Sequence, residues 1–222
     1  MPLVLYSFLA SPPDRAANLL LKALQIPYER QEINTAKGDQ HSEQFQKINP
    51  QHTVPTLQDG DFIVWDSHAI NAYVVNQYAE NNPLYPKNPK KRALIDQRLH
   101  FDSGVLFPKI LSTTRGIKQK TITSVTEDIV TSFEDAYDFV EKFLKSNKYA
   151  AGDEITIADF SFVTSLTTMN VIVPIDQQKY PFINKYLESL KSQLKSYEEI
   201  NGKGLKEYTE ILKNVNFKFL KE

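Results

Sequence analysis

Apolar residues recur along the first third of the chain with two different periods. A short apolar run at residues 3–7 and a weak alternation at 29–34 indicate β-strands, whereas Ala16, Leu20 and Ala23 repeat at helical spacing. Asp59-Gly60 between two apolar runs predicts a hairpin turn. The predicted elements are strand 3–7, helix 12–24, strand 29–34, helix 43–47, strand 56–57, strand 62–65 and helix 67–78.

This β-α-β-α-β-β-α order is typical of a thioredoxin-like α/β domain, in which helices cover a mixed sheet and a ligand binds beside the strand ends. Residues 81–90 contain three prolines and no periodicity, which predicts a linker. Helical spacing then returns at 91–114, 126–145, 157–169, 181–192 and 205–214. We therefore predict a thioredoxin-like domain at 1–80 and an all-α helical bundle domain at 91–222.

Composition excludes several kinds of chemistry, but it does not decide between one domain and two. The 222 residues are 41% hydrophobic, which is enough for a core in one domain or two. A net charge of -1 predicts no nucleic-acid partner and no anionic membrane surface as partner. The absence of cysteine excludes disulfides and a protein thiol nucleophile, so any sulfur chemistry must come from a ligand. Four scattered histidines without a paired carboxylate motif predict no metal site.

The opening segment lacks the basic flank and cleavage site of a signal peptide. No apolar run reaches the roughly 18 residues that a membrane span requires. We therefore expect a cytoplasmic protein.

Residues 49–57, the edge segment, predict a surface that binds an extended peptide. Residues that precede proline favour extended backbone, and the Val54-Pro55 bond is one for which cis costs only about 0.5–1 kcal/mol. A cis bond there would turn the N–H and C=O of Val54 outward. Asp66 and Ser67 then open a helix whose N-terminal amides favour a carboxylate.

The edge segment occurs together with Ser-Pro-Pro-Asp-Arg at 11–15 and Thr-Ile-Ala-Asp-Phe at 156–160. In this combination the sequence resembles the cytosolic glutathione transferases over almost the whole chain. The edge segment and residues 65–70 and 97–105 are similar to those of the insect delta and epsilon classes. His68 stands where delta sequences usually carry arginine, so the chain looks most similar to the epsilon class.

The resemblance implies that reduced glutathione is a consumed cosubstrate and that no cofactor is bound permanently. A free thiol has a pKa near 8.5, so the site must stabilise the thiolate. The resemblance gives this role to the hydroxyl of Ser11. From spacing alone, Ser11 would be the N-cap of the helix that begins with Pro12. Tyr6 is the competing hydroxyl, although its place inside a strand favours a packed aromatic ring.

The resemblance also implies a set of glutathione contacts. The cysteinyl backbone would pair with Val54 beside Pro55, the ammonium would face Asp66, and the γ-glutamyl carboxylate would be held by Ser67. His52 would donate to the glycyl carboxylate or to the peptide carbonyl.

Three positions in this set remain open. Many relatives have a second histidine at the glycyl end, where this chain offers either Gln40 or His41. His68, included among the glutathione-binding residues, either meets its symmetry mate at a two-fold axis or faces solvent. Asp102 either extends the ammonium network or is an exposed helical carboxylate.

The electrophile is expected between the domains, against the helix that carries Phe107 and Leu111. An apolar stripe at this spacing is equally typical of a core. Arg115 lies about one turn from the position where relatives carry an arginine, which leaves substrate preference open, and Pro108 should kink the helix. The predicted electrophile-binding residues are Leu9, Phe107, Leu111, Arg115, Leu205 and Tyr208.

These observations predict a homodimeric glutathione transferase that conjugates hydrophobic electrophiles in detoxification and xenobiotic metabolism. A glutathione-dependent peroxidase or isomerase would use the same residues. A carrier of hydrophobic ligands without turnover, and an interaction module of the kind fused to elongation factors, are the alternatives outside enzymology.

Overall fold

The structure, a computed structural model, describes residues 3–220. The outer bounds of the two predicted domains, residues 1 and 222, lie outside the described residues, as do the first two residues of the opening segment. The first half contains the predicted elements in the predicted order, with an added 3-10 turn. They are β1 Leu3–Ser7, α1 Pro12–Ala23, β2 Tyr28–Glu32, the 3-10 turn Asp39–His41, α2 Glu43–Ile48, β3 Thr56–Asp59, β4 Phe62–Trp65 and α3 Ser67–Tyr78.

The four strands form the predicted mixed sheet in the order β2-β1-β3-β4. β1 is parallel to β2 and antiparallel to β3, and Leu5 pairs with Arg30 on one side and Leu57 on the other. The β3–β4 hairpin turns at Gly60, whose φ of 59° lies in the region that favours glycine. The thioredoxin-like prediction is confirmed.

The second half is helical, as predicted. Its helices are α4 Pro89–Phe101, α5 Phe107–Lys118, α6 Glu127–Ser146, α7 Ile157–Ile172, α8 Pro181–Gln193 and α9 Lys203–Lys213, with π-helical segments at Asp102–Leu106 and Glu198–Gly202. α4 begins two residues before the predicted start, because the Asn88 side chain accepts hydrogen bonds from the Lys90 and Lys91 amides and Pro89 is tolerated in a first turn. The division into domains at residues 80 and 90 stays a prediction.

The predicted single helix at 91–114 is wrong in one respect, because a π-helical segment separates α4 from α5. Across this segment the Phe107 amide donates to the Asp102 carbonyl, five residues earlier. Pro108 therefore lies in the first turn of α5 rather than inside a helix, and the expected proline kink is replaced by the π-helical segment.

One buried core spans both halves of the molecule. α7 runs through its centre, and almost every residue of this helix is buried. α1 packs directly against α7, so the helix that follows Ser11 is seated on the helical half. Among residues 3–220, no helix is both long enough and apolar enough to cross a bilayer.

Candidate functional site

A cleft of about 650 Å³ opens between the α/β half and α5, and it brings together twelve of the fifteen predicted site residues. Its walls contain Ser11, Gln40, His41, His52, Val54, Pro55, Asp66, Ser67 and His68 from the first half, and Phe107, Leu111 and Arg115 from α5. A smaller pocket of about 130 Å³ shares Ser11, Phe107 and Leu111 with the cleft and includes Tyr208. Sequence reasoning missed Thr35, Gln51, Trp65 and Lys118, which also line the cleft.

Ser11 occupies the N-cap position of α1 without acting as its side-chain cap. Its backbone is extended, with φ −81° and ψ 123°, and its hydroxyl makes no cap hydrogen bond. The Ser11 amide donates to the Phe8 carbonyl at 2.9 Å, which fixes the turn. Within residues 3–220 the hydroxyl bonds to no other group, so it stays available at the positive end of a helix.

The loop that carries Ser11 is held by a buried arginine that the sequence analysis did not single out. The Arg15 Nη1 donates to the Leu9 carbonyl at 2.9 Å and to the Ala10 carbonyl at 3.1 Å. Its Nε donates to Asn201 Oδ1 at 2.8 Å, and its Nη2 donates to Thr164 O and the Thr168 hydroxyl. Burial lowers the pKa of Arg15 to about 10, which leaves the guanidinium charged at neutral pH.

Leu9 and Leu205, two of the predicted electrophile-binding residues, line neither cavity. Leu9 is buried in the core, and its carbonyl oxygen faces Arg15 and Gly204. A Cβ added at Gly204 would lie 2.2 Å from that oxygen, so α9 approaches the Ser11 loop as closely as backbone allows. The Leu9 side chain is thus part of the core, and only its carbonyl takes part in the contacts behind the Ser11 loop.

Tyr6, the competing hydroxyl, is engaged elsewhere. Its hydroxyl donates to Gln58 Oε1 at 2.9 Å, and its ring packs on Phe45 at a centroid distance of 5.6 Å. Tyr6 lines neither of the two cavities and is a packed aromatic residue, as its strand position indicated.

The edge segment has the predicted cis bond between Val54 and Pro55. Within the described part of the chain, the N–H and C=O of Val54 take part in no backbone hydrogen bond. The Asn49 amide donates to the Thr53 carbonyl at 3.1 Å and to the Thr56 hydroxyl at 2.9 Å, which braces the segment from behind. The edge thus presents one unpaired donor and one unpaired acceptor to the cleft.

Asp66 caps α3, a role that the sequence analysis did not assign to it. Its Oδ1 accepts hydrogen bonds from the amides of His68 at 2.8 Å and Ala69 at 3.4 Å. Those amides are therefore already satisfied. The amide and the hydroxyl of Ser67 form no hydrogen bond within residues 3–220, and they remain as the donors for a ligand carboxylate.

The expectations of an exposed Asp102 and a solvent-facing His68 are both wrong. Asp102 is only 4% exposed, and its Oδ2 lies 3.0 Å from His68 Nε2. Burial alone would lower the pKa of His68, but its hydrogen bond to Asp102 and the charges of Asp102 and Asp66 outweigh burial and leave the pKa above its usual value. The Asp102 Oδ1 is buried and has no partner among the described residues.

Three side chains cluster at the far end of the edge segment. The rings of His41 and His52 lie 4.9 Å apart, and Gln40 Nε2 lies 3.2 Å from His41 Nε2. His41 is therefore a direct neighbour of His52, Gln40 contacts His41, and all three line the cleft, so the choice between Gln40 and His41 stays a prediction.

The opposite wall of the cleft, called the α5 wall, is formed mainly by α5 and is apolar with a few polar groups. Phe107 and Leu111 line both cavities. Thr114 and Tyr208 share a hydrogen bond of 2.7 Å between their hydroxyls, and burial raises the pKa of Tyr208 to about 12, so this phenol stays protonated. Among residues 3–220, no group of three or more histidines, aspartates and glutamates lies close enough together to hold a metal ion.

Comparisons with known proteins agree with this geometry. The family model described as "Glutathione S-transferase, N-terminal domain" matches residues 1–76, and the corresponding "C-terminal domain" model matches residues 116–193. Glutathione S-transferase 1 of Manduca sexta is 47% identical over 206 residues, which cover 92% of this chain and 94% of that protein.

Solved structures are similar over nearly the whole chain. An epsilon-class glutathione S-transferase of the housefly Musca domestica superposes with a TM-score of 0.93 at 45% identity, over 98% of this chain and 100% of that one. A glutathione transferase homologue from Drosophila mojavensis, solved with bound glutathione, has a TM-score of 0.91 at 43% identity, over 98% and 99%. Because both family models match and these relatives align along nearly the whole chain, this protein is an enzyme of the glutathione S-transferase family, and the predicted similarity to its insect epsilon class is confirmed.

Proposed function

We propose that this enzyme transfers the thiolate of reduced glutathione to hydrophobic electrophiles of the detoxification type, with Ser11 as the residue that stabilises the thiolate. The observation that carries the proposal is the Ser11 hydroxyl, which lies in the cleft at the start of α1 and makes no cap hydrogen bond. A serine that served only the helix would use its hydroxyl as the cap.

The wall of the cleft that the first half of the chain forms, from Ser11 to His68, is called the first wall. Its groups complement each part of glutathione. The unpaired N–H and C=O of Val54 suit the cysteinyl backbone in antiparallel pairing. The Ser67 hydroxyl and amide suit the γ-glutamyl carboxylate, and Asp66 suits the ammonium, with Asp102 behind it. His52, with Gln40 or His41, suits the glycyl carboxylate. The Drosophila mojavensis relative, which holds glutathione, supports this assignment at the level of the family.

Ionisation and orientation of one substrate account for the acceleration. Lowering the thiol pKa by two units requires about 2.7 kcal/mol of preferential stabilisation of the thiolate. One hydroxyl donor at a helix N-terminus supplies stabilisation of this order. The thiol first releases its proton, and the sulfur then attacks an electrophile held against α5. The sulfur nucleophile belongs to the cosubstrate, so the reaction needs no covalent intermediate with the protein.

We also propose that the enzyme acts as a homodimer in the cytoplasm, with no nucleic-acid partner and no membrane partner. The family membership supports this, and so does an aromatic surface at the β3–β4 hairpin. Phe62 is 47% exposed and packs on Tyr73 at a centroid distance of 4.8 Å. An exposed aromatic cluster of this kind suits an interface between two copies.

The test is the ultraviolet absorbance of bound glutathione thiolate against pH, measured for the wild type and for Ser11→Ala. We expect a depressed thiol pKa in the wild type and a value near 8.5 in Ser11→Ala, with kcat/KM for a neutral aryl halide falling roughly 100-fold. Ser103→Ala is the matched control, because Ser103 lines the same cleft but directs its hydroxyl to the His100 carbonyl. Tight glutathione binding with an unshifted thiol and no turnover would instead identify a carrier.

A further inference from the structure

Two cations stand on the cleft side of α5. Arg115 and Lys118 are three residues apart in its last turn, which places them on one face of the helix. Both line the 650 Å³ cleft, and Lys118 also lines the 130 Å³ pocket that contains Ser11. Their charges therefore border the space in which the electrophile must lie.

Neither cation is neutralised by the protein. Within residues 3–220, the side chains of Arg115 and Lys118 form no ion pair and no hydrogen bond. All the other arginines of the chain are engaged by side-chain or carbonyl acceptors: Arg15, Arg30, Arg92 and Arg98. Among the five arginines, Arg115 is therefore the one whose side chain has no partner within the described residues. It is also the one that lines the cleft.

Helix geometry alone does not account for this pair. Cations in a last turn are favoured by the helix dipole, which explains basic residues near the end of α5. The dipole does not require that these two exposed side chains also line the cleft, as those of Arg115 and Lys118 both do.

Glutathione also needs neither Arg115 nor Lys118, because other residues complement its charged groups. In the proposed binding mode, Ser67 receives one carboxylate of glutathione and His52 receives the other, while Asp66 faces the ammonium. Arg115 and Lys118 are on the opposite wall with the apolar side chains of Phe107 and Leu111. They are therefore left for the second substrate.

We propose that Arg115 and Lys118 form an anion subsite, and that the preferred electrophiles are hydrophobic molecules that carry a carboxylate or a similar negative group remote from the reacting carbon. This inference rests on the proposed function. For an aryl chloride substrate, the glutathione sulfur forms a bond to the ring carbon, the carbon–chlorine bond breaks, and chloride leaves with the electron pair. The remote anion takes no part in these steps and only binds.

The test compares 4-chloro-3,5-dinitrobenzoate with its methyl ester, which has the same reacting carbon but no charge. Initial rates are measured for the wild type, Arg115→Gln, Lys118→Gln and the double variant. Lys109→Gln is the matched control, because Lys109 is on the same helix but donates to Ser132 at 2.8 Å, away from the cleft. Each variant is compared with the wild type for each electrophile, so the different intrinsic reactivities cancel.

We expect kcat/KM for the benzoate to fall on the order of 10-fold more than kcat/KM for the ester in the double variant, with the difference shrinking at high salt. The loss should appear in KM for the benzoate, and Lys109→Gln should behave as the wild type. Equal losses for both electrophiles, or a loss carried by KM for glutathione, would overturn the anion subsite. Failure of the proposed function would look different, because the wild type would then conjugate neither electrophile.

Discussion

The two walls of the cleft are built in opposite ways. The first wall offers backbone groups and short side chains, such as those of Ser11, Val54 and Ser67, on loops that buried hydrogen bonds hold in place. The α5 wall offers mainly long side chains from one helix. Those of Arg115 and Lys118 form no hydrogen bond and no ion pair within the described residues. The difference matches the two substrates of the proposed reaction, in which glutathione is constant and the electrophile varies.

The bracing of the first wall comes from residues that do not touch the cleft. Arg15 holds the carbonyls just before Ser11, Asn49 holds the edge segment, and Gly204 lets α9 meet the Leu9 carbonyl. If this contrast is correct, changes behind the first wall should reduce both stability and thiolate formation. Changes in the α5 wall should mainly alter selectivity.

Replacing Arg15 with methionine should have the largest effect. The substitution leaves the Leu9 and Ala10 carbonyls and the Asn201 side-chain oxygen without the buried donor that Arg15 supplies, so we expect the free energy of unfolding to fall by about 3–5 kcal/mol. Urea unfolding measures this change. Lys145→Met is the control that removes a charge of the same sign from an exposed position, and an equal loss in both variants would contradict the bracing role.

Gly204→Ala tests the same loop from the other side. The added Cβ would lie 2.2 Å from the Leu9 oxygen and 2.5 Å from Arg15 Cδ, so the backbone must move, at a cost of about 1–3 kcal/mol. The displaced loop should also raise the pKa of bound glutathione thiol. Gly104→Ala, whose Cβ would meet no neighbour within 4 Å, should leave both stability and thiol pKa close to wild type. A shift of the same size in both variants would argue against the close contact.

Buried Asp14, in the first turn of α1, makes the stability of the folded protein depend on pH. Burial raises its pKa to about 7, although the Ser7 hydrogen bond and the charges of Arg30 and Arg15 oppose this. Between about pH 4 and pH 7 the folded state keeps a proton that the unfolded state has lost, so stability falls as pH rises, by up to about 1.4 kcal/mol per pH unit. Asp14→Asn should remove this fall.

Urea unfolding at pH 5 and pH 7 measures the effect of Asp14→Asn. Relative to the wild type, the variant should be more stable at pH 7 than at pH 5, whereas an exposed control, Asp61→Asn, should show no such trend. Parallel pH profiles for Asp14→Asn and the wild type would contradict the raised pKa.

The smallest change in stability is expected in the α5 wall. Tyr208→Phe and Thr114→Val each remove the same hydroxyl–hydroxyl bond, which is worth about 0.5–1.5 kcal/mol. Both variants should keep the wild-type thiol pKa while the relative kcat/KM values of two electrophiles of different shape change. The double variant should lose no more stability than the sum of the singles. A raised pKa of the glutathione thiol in either single variant would contradict the proposed separation of roles between the two walls.

Local signals in the sequence predict the first wall well. The strand order, the Asp59-Gly60 hairpin, the helix that begins at Ser67 and the edge segment all depend on neighbouring residues, and the structure contains each of them. Resemblance to the family then supplied roles for residues such as Ser11, whose local pattern indicated only a cap.

Long-range contacts explain what the sequence did not reveal. Arg15 and Asn201 are 186 positions apart, and no local pattern connects them. Asp102 resembles an exposed helical residue until α3 brings His68 beside it. A signal was present for Arg15, because it directly precedes Ala16, where the apolar spacing of the predicted helix 12–24 begins.

The π-helical segment Asp102–Leu106 has a consequence for how this enzyme can change over evolutionary time. Its hydrogen bonds span five residues where an α-helix spans four, so it holds one residue more than a regular turn. Loss of a single codon there would restore a regular helix and leave the side chains of the α5 wall pointing in nearly the same directions, because five residues in a π-helical turn and four in an α-helical turn both complete about one turn. The connection from α4 can therefore change in length while the composition of the α5 wall is kept, and point mutations then change that wall one side chain at a time.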